Sequence, residues 1–382
     1  MSGSSSAASG RRETRLERAR AAMRATELDA LLLFSGPNLT YLAGSSVTEL
    51  TAGRAWYLLL PATGEPTLIV HAWRELQARE ETWIEDVRGY PRLSRVPLAQ
   101  LESVLRGRRT VGVELAGEMR LGIPEADFEE LRRHFDSTSF EDASSLLWSL
   151  RLVKDEGEVD SVRRACSFTA AAYRRTFATL RAGTPAGEAV WRMKSAMLQL
   201  GGAAPWVLAS IGRGHYAYGT EVVDDRPLEP GDMVWFDAGC AVRGYWSDYS
   251  RAAVIGPPAP AQRELHEAVH DATSTGVRLI RPGRAAAEIA QACNEAMRKL
   301  TGPGTIPLST LAGRIGHGLG LDLTELPHLA EHDETILEPG MIVTVEPGIA
   351  TADGTFHVEE NVLVTAGGHE VLSTAPWPLT QA

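Results

Sequence analysis

Residues 235–251 read WFDAGCAVRGYWSDYSR, two apolar, aromatic runs joined by a turn that contains glycine, with Asp237 in the first run and Asp248 in the second. A hairpin over this stretch brings the two aspartates together. A carboxylate in such a strand is costly to bury unless something compensates it, and for two carboxylates the usual compensation is a metal ion. Taken alone, the stretch also reads as an edge hairpin with two solvent-facing aspartates.

The rest of the chain tips that balance. Glu346 lies in an equally apolar run, MIVTVEPGIA, as does Glu359 in FHVEENVLVT, and His317 follows a glycine in GRIGHGLGLDLTELPHL. Together they make four carboxylates and one imidazole, an oxygen-rich set that suits manganese, cobalt, iron or zinc in a two-metal site and lacks the thiolates of a structural zinc site. Charge arithmetic agrees, since four carboxylates balance two divalent ions and leave a bridging water easily deprotonated.

Composition sets the outer limits. A chain of 382 residues exceeds the size at which one core stops growing, so two domains are expected. Apolar residues make up 44% and no run of 18 of them occurs, which predicts a soluble protein with no membrane partner. The opening MSGSSSAASGRRE has no apolar core of a signal peptide; residues 1–13 are expected as a disordered tail and the protein as cytoplasmic. Three cysteines without CxxC spacing argue against a disulfide framework and point to core packing. With 38 basic and 49 acidic residues the net charge is −11, which is unfavourable for a nucleic-acid partner.

Residues 14–150 alternate a basic amphipathic stretch with strand-like runs such as ALLLF, AWYLLLP, PTLIVH and TVGVEL, which predicts an α/β amino-terminal domain. From 151 the pattern changes. A long helix is expected with Val162, Cys166, Thr169, Tyr173, Phe177 and Leu180 on one face, then a helix near 185–200 with Trp191, Met193 and Met197 in its core face. Two helices near 260–280 and 285–300 and a strand-rich end from 340, closed by a hairpin at 368–370, complete an α+β domain over 151–382.

The motifs WFDAG and WSDYSR, GHGLGL, VEPGI and HVEENVLVT, in that order, resemble the pita-bread metallopeptidases that include methionine aminopeptidase, aminopeptidase P and prolidase, the M24 peptidases. GPNLTYLAG and LRLVKDEGEVDSVRRA look like the amino-terminal domain and junction of the prolidase, aminopeptidase P and creatinase branch. The resemblance implies a homodimer with two divalent metal ions, manganese first, acting on a short peptide or another small molecule. It implies that Asp237 chelates one metal, that Asp248 and Glu359 bridge, and that His317 and Glu346 hold the other. Glu360 is adjacent to Glu359, and strand alternation does not choose between them; the family's acidic pair puts the ligand first.

Two histidines of the family pattern are missing. The position seven residues after His317 is Thr324, with Glu325 and Pro327 retained, and the position 17 residues before Asp237 is Thr220. A threonine hydroxyl donates or accepts a hydrogen bond but does not titrate near neutrality. Thr220, Thr324 and Glu325 are thus expected at catalytic positions, with His357 as a substitute imidazole: it lies two residues before Glu359, on the same face of an extended strand, where the family commonly has arginine. Arg213, His215, Tyr218 and His328 are candidates for the substrate wall, with a surface position the leading reading for Arg213.

Three functions remain open on the sequence. The first is a binuclear metal-dependent hydrolase of an amide or peptide C–N bond, Xaa-Pro peptidase-like. The second is a repurposed enzyme of the same fold acting on a small non-peptide metabolite. The third is a non-catalytic binding module.

Overall fold

The computed structural model describes residues 2–44, 54–91, 96–212 and 225–382, and divides into two compact units, Met1–Arg151 and Leu152–Ala382. The first unit is a six-stranded mixed sheet flanked by helices. Its strands are β1 (Ala30–Leu33), β2 (Tyr57–Pro61), β3 (Thr67–His71), β4 (Asp86–Tyr90), β5 (Thr110–Val113) and β6 (Ser139–Asp142), in the order β4-β3-β2-β1-β5-β6. The unbroken apolar runs of β1, β2 and β3 are buried along their whole length, as strands covered on both faces require. Leu32, Leu59, Ile69 and Val113 pack with Phe128 and Leu131 of the helix Glu125–His134 in one core.

The first helix spans Ser2–Ala25. Nothing between Ser2 and Glu13 is a proline, and extending a formed helix costs far less than nucleating one. The anchoring turn is the amphipathic part, where Ala19 and Met23, four residues apart, are fully buried.

In this unit a carboxylate closes the GPNLTYLAG segment. Glu114 is fully buried and accepts from the backbone N–H of Phe34 (2.8 Å) and Ser35 (3.1 Å), from Asn38 Nδ2 (2.6 Å) and from the Ser35 hydroxyl. Asn38 Oδ1 in turn accepts from Arg151 (3.0 Å). Buried polar groups are kept only when satisfied, and these are.

Among the described residues the second unit holds three sheets. β7 (Ala203–Gly212), β8 (Met233–Val242), β9 (Tyr245–Trp246) and β10 (Tyr249–Val254) form one, joined at its edge by β19 (Thr380–Gln381). β11 (Ile306–Pro307), β15 (Gly348–Thr351) and β16 (Gly354–His357) form the second. The third runs β13 (Glu325–His328), β12 (His317–Gly318), β14 (Ile342–Val345), β17 (Glu360–Thr365), β18 (Gly368–Val371). Helices Glu156–Phe177, Ala186–Gln199, Pro260–Leu279 and Ala286–Arg298 belong to the same unit.

The helix Glu156–Phe177 starts at a capping box, Asp155 accepting from the N–H of Glu158 while the Glu158 side chain accepts from that of Asp155. Its expected stripe, Val162, Cys166, Thr169, Tyr173 and Phe177, is buried throughout. The helix Ala186–Gln199 differs from expectation at one residue: Met193 and Met197 are buried, but Trp191 is 70% exposed. Residues two apart on a helix do not share a face. Cys166, Cys240 and Cys293 are free and buried. No described helix is long and apolar enough to cross a membrane.

Candidate metal centre

The hairpin read from residues 235–251 forms, and its details follow from its turn. β8 pairs antiparallel with β10, Asp237 opposite Ser250, and with the short β9. Between β8 and β9, Arg243 (φ 53°) and Gly244 (φ 85°) both take left-handed backbone, the geometry that matches the twist of a tight hairpin. Gly239 lets the chain fold back against itself, since a Cβ there would lie 1.7 Å from the Ser247 carbonyl oxygen. Asp248 is fixed from the third sheet: its N–H donates to Asn361 Oδ1 at 3.0 Å, and Asn361 Nδ2 donates back to its carbonyl.

His317 sits where β12 meets β14. Its backbone N–H donates to Thr344 Oγ1 (3.0 Å), and its Nδ1 contacts the Gly318 carbonyl at 2.8 Å. A carbonyl only accepts, so Nδ1 carries the proton and Nε2 presents a lone pair. Nε2 lies 3.5 Å from Asp248 Oδ2 and 3.5 Å from Glu346 Oε1. Glu346 follows β14 directly, and Glu359 falls between β16 and β17. Donor atoms of Asp248, His317 and Glu359 all lie within 4.8 Å of one another, as do those of Glu346, His357 and Glu359.

The electrostatics are those of a site built for positive charge. Asp237 Oδ1, Asp248 Oδ1 and both oxygens of Glu359 are buried without a hydrogen-bond partner. Burial, aided by the neighbouring carboxylates, pushes Asp248 and Glu359 well above the usual range and Asp237 up to about 6. Burial also opposes ionisation of Glu346, but the neighbouring His357 and His317 rings and the Arg314 guanidinium hold it down to about 2. Desolvation lowers His317. Crowded carboxylate oxygens with no donor to meet them are what a cation would take up.

Glu359 and Glu360 differ in their partners. Glu360 accepts from Arg251 Nη2 at both oxygens, 2.9 and 3.0 Å, and from the Ser373 hydroxyl, so its oxygens are spoken for, whereas those of Glu359 have no hydrogen-bond partner. Glu325, expected among the catalytic groups, has partners of its own in the structure. Its carboxylate is 1% exposed, pairs with Lys154 Nζ at 3.0 Å and accepts from the N–H of Leu321 (2.9 Å) and Asp322 (3.1 Å), so it braces the loop after β12. Lys154, 171 residues away in sequence, carries no local signal of this pairing.

Thr324 is half-buried in the bend just before β13. His328, at the end of β13, is opposite His317 across the β12–β13 pair and contacts Arg314 through Nδ1 at 3.3 Å. His357 is buried, with Nε2 3.7 Å from Glu346 Oε2. Thr220, Arg213, His215 and Tyr218 lie outside the described residues. Sequence reasoning missed Ser250, whose hydroxyl meets His357, and Thr344; both are small polar residues in apolar strands without a motif of their own.

A two-unit chain with this convergence of four carboxylates and a histidine matches a known class. The model for metallopeptidase family M24 matches residues 160–366, and that for the creatinase/prolidase N-terminal domain matches residues 15–153. The chain belongs to metallopeptidase family M24. It is 28% identical over 351 residues to the Xaa-Pro dipeptidase of Pyrococcus horikoshii, covering 91% of this chain and 93% of that one. It is 27% identical to the Xaa-Pro dipeptidase of Pyrococcus furiosus, covering 94% and 97%. The crystal structure of the prolidase from Pyrococcus horikoshii superposes with a TM-score of 0.83 at 26% identity, over 96% of this chain and 99% of that one.

Proposed function

We propose that this protein is a binuclear metal-dependent hydrolase of an amide or peptide C–N bond, with Xaa-Pro dipeptides as the first substrate class to test. The observation that carries the reading is the set of orphaned buried oxygens on Asp237, Asp248 and Glu359, of which Asp248 and Glu359 gather with His317, and Glu359 also with Glu346. Asp237 would chelate one ion, Asp248 and Glu359 would bridge, and His317 and Glu346 would hold the other. Two divalent ions there would supply a water acidic enough to act as nucleophile at neutral pH and would polarise a carbonyl.

The chain's own residues do the positioning. Asn361 and Thr344 hold the backbones of Asp248 and His317, and Gly318 orients the imidazole by accepting from its Nδ1. Thr324 and Thr220 offer hydroxyls where a family peptidase has imidazoles, so they orient a substrate but do not move a proton near pH 7. Arg213, His215, Tyr218 and His328 are proposed for the substrate wall, Arg213 as the partner of a substrate carboxylate.

Thr324 also favours the second reading, a site repurposed for a small non-peptide amide whose leaving group needs less help. Incubating metal-loaded protein with a panel of Xaa-Pro dipeptides and tripeptides, with and without chelator, separates the two. Chelator-sensitive cleavage is expected on the first reading; bound metal with no peptide cleavage would overturn it in favour of the second.

A further inference from the structure

We propose that His357 is a metal ligand in its own right, so that this centre holds two imidazoles where the sequence pattern supplies one. The inference rests on the metallohydrolase reading above and adds a residue to it.

The geometry around Ser250 carries the argument. Its hydroxyl lies 2.7 Å from His357 Nδ1 and 3.0 Å from the His357 carbonyl oxygen, and it is fully buried. A serine has one proton to give. Given to the carbonyl, which only accepts, it leaves Oγ to accept from Nδ1–H, and both contacts are made; given to Nδ1, it leaves two oxygens facing each other unbonded. The network therefore puts a proton on Nδ1 and leaves Nε2 as the ring's inward-facing nitrogen, toward Glu346.

Nε2 points at acid. It is 3.7 Å from Glu346 Oε2, beyond hydrogen-bond length, and a His357 ring nitrogen lies within 4.8 Å of a Glu359 oxygen. Neither Glu359 oxygen has a hydrogen-bond partner and Nε2 does not reach Glu346, a spacing that a cation held between these groups accounts for. Donors of one ion, each about 2.1 Å from it at tetrahedral to square angles, are about 3.0–3.4 Å apart. The separations at His357 (3.7 Å) and His317 (3.5 Å) are close to that spacing, and both rings have Nδ1 tied to an oxygen and Nε2 turned inward.

The ring has little freedom to turn elsewhere. Trp235 meets it edge-on with centroids 5.4 Å apart, and a Cβ on Gly348, its partner across β15 and β16, would lie 2.5 Å from His357 Cδ2. His357 thus takes a ligand's part in place of the catalytic part offered by the sequence, and a second imidazole moves the donor set away from manganese and toward cobalt, zinc or iron.

Proton NMR of the Co²⁺-loaded protein tests this without reference to turnover. Each histidine bound through Nε2 with a proton on Nδ1 gives one strongly shifted, solvent-exchangeable signal, so two are expected, one lost in His357→Ala and the other in His317→Ala. Ser250→Ala should weaken binding of one Co²⁺ by 10- to 100-fold with the second signal broadened or lost. A single signal that survives in His357→Ala, with Co²⁺ stoichiometry and affinity unchanged, overturns the proposal while leaving the metallohydrolase reading intact. No uptake of Co²⁺ by the wild-type protein overturns both.

Discussion

Glu114 in the first unit and Glu359 in the second are both fully buried carboxylates, yet their surroundings are opposite. Glu114 meets two backbone N–H groups, an amide and a hydroxyl. Glu359 meets no hydrogen-bond donor at either oxygen and has Asp237, Asp248 and Glu346 as neighbours. Burial raises the pKa of both. One site is completed by the fold; the other is left incomplete by it, and the missing part is positive charge. A buried acid by itself says little about function, whereas a buried acid with nothing to bond is a statement about a ligand.

The comparison can be broken most sharply at the second site. Asp248→Ala should abolish metal binding and reduce turnover below detection. In metal-free protein, however, the same change should leave thermal stability unchanged or raised, because it removes a repelling carboxylate. A metal-free variant that unfolds readily would mean that Asp248 is a structural acid like Glu114.

A third kind of buried acid lies between these extremes. Lys154→Met should destabilise by about 3–5 kcal/mol in denaturant unfolding, because it leaves Glu325 charged and unpaired. The double variant with Glu325→Gln, which keeps an acceptor for the amides of Leu321 and Asp322, should recover most of that loss and still bind metal. A double variant that is stable and loaded yet inactive would return Glu325 to the catalytic groups. For Glu114→Ala, which strands the amides of Phe34 and Ser35, about 3 kcal/mol is expected, with metal content untouched.

The smallest effect is a pH drift. Asp237 has a folded pKa raised from 3.8 to about 6, so its contribution to stability is complete below pH 4 and is lost as pH rises through about 6. Asp248 and Glu359, raised further, extend the loss upward. Glu346, held down to about 2, contributes stability above its ordinary 4.5 that is lost as pH falls through about 2. Melting temperatures of metal-free protein should therefore fall from pH 5 to pH 8, and loading with metal should remove the fall. A flat metal-free profile would contradict the charge crowding.

Much of this was legible in the sequence because the candidate acids stand out against apolar strands: Asp237, Asp248, Glu346 and Glu359 interrupt runs that otherwise bury completely. The fold class followed from uninterrupted strands in one half and the long striped helix at 156–177 in the other. What stayed hidden depended on distance or on small residues. Lys154 and Glu325 are far apart in the chain, so nothing near Glu325 announced that its charge was already met. Alternation could not separate Glu359 from Glu360, because the choice is made by Arg251 and Ser373 from other strands. Trp191 was misplaced because a large apolar residue was read by type, not by its angle on the helix.

The central claim is that the unbonded oxygens of the second unit are the ligands of two cations. Equilibrium dialysis of the wild-type chain against Co²⁺, followed by elemental analysis, tests it most directly. Two ions per chain, falling in Asp248→Ala and unchanged in Glu114→Ala, is the expected result. A wild-type chain that retains no ion, or one whose uptake ignores Asp248, would contradict it.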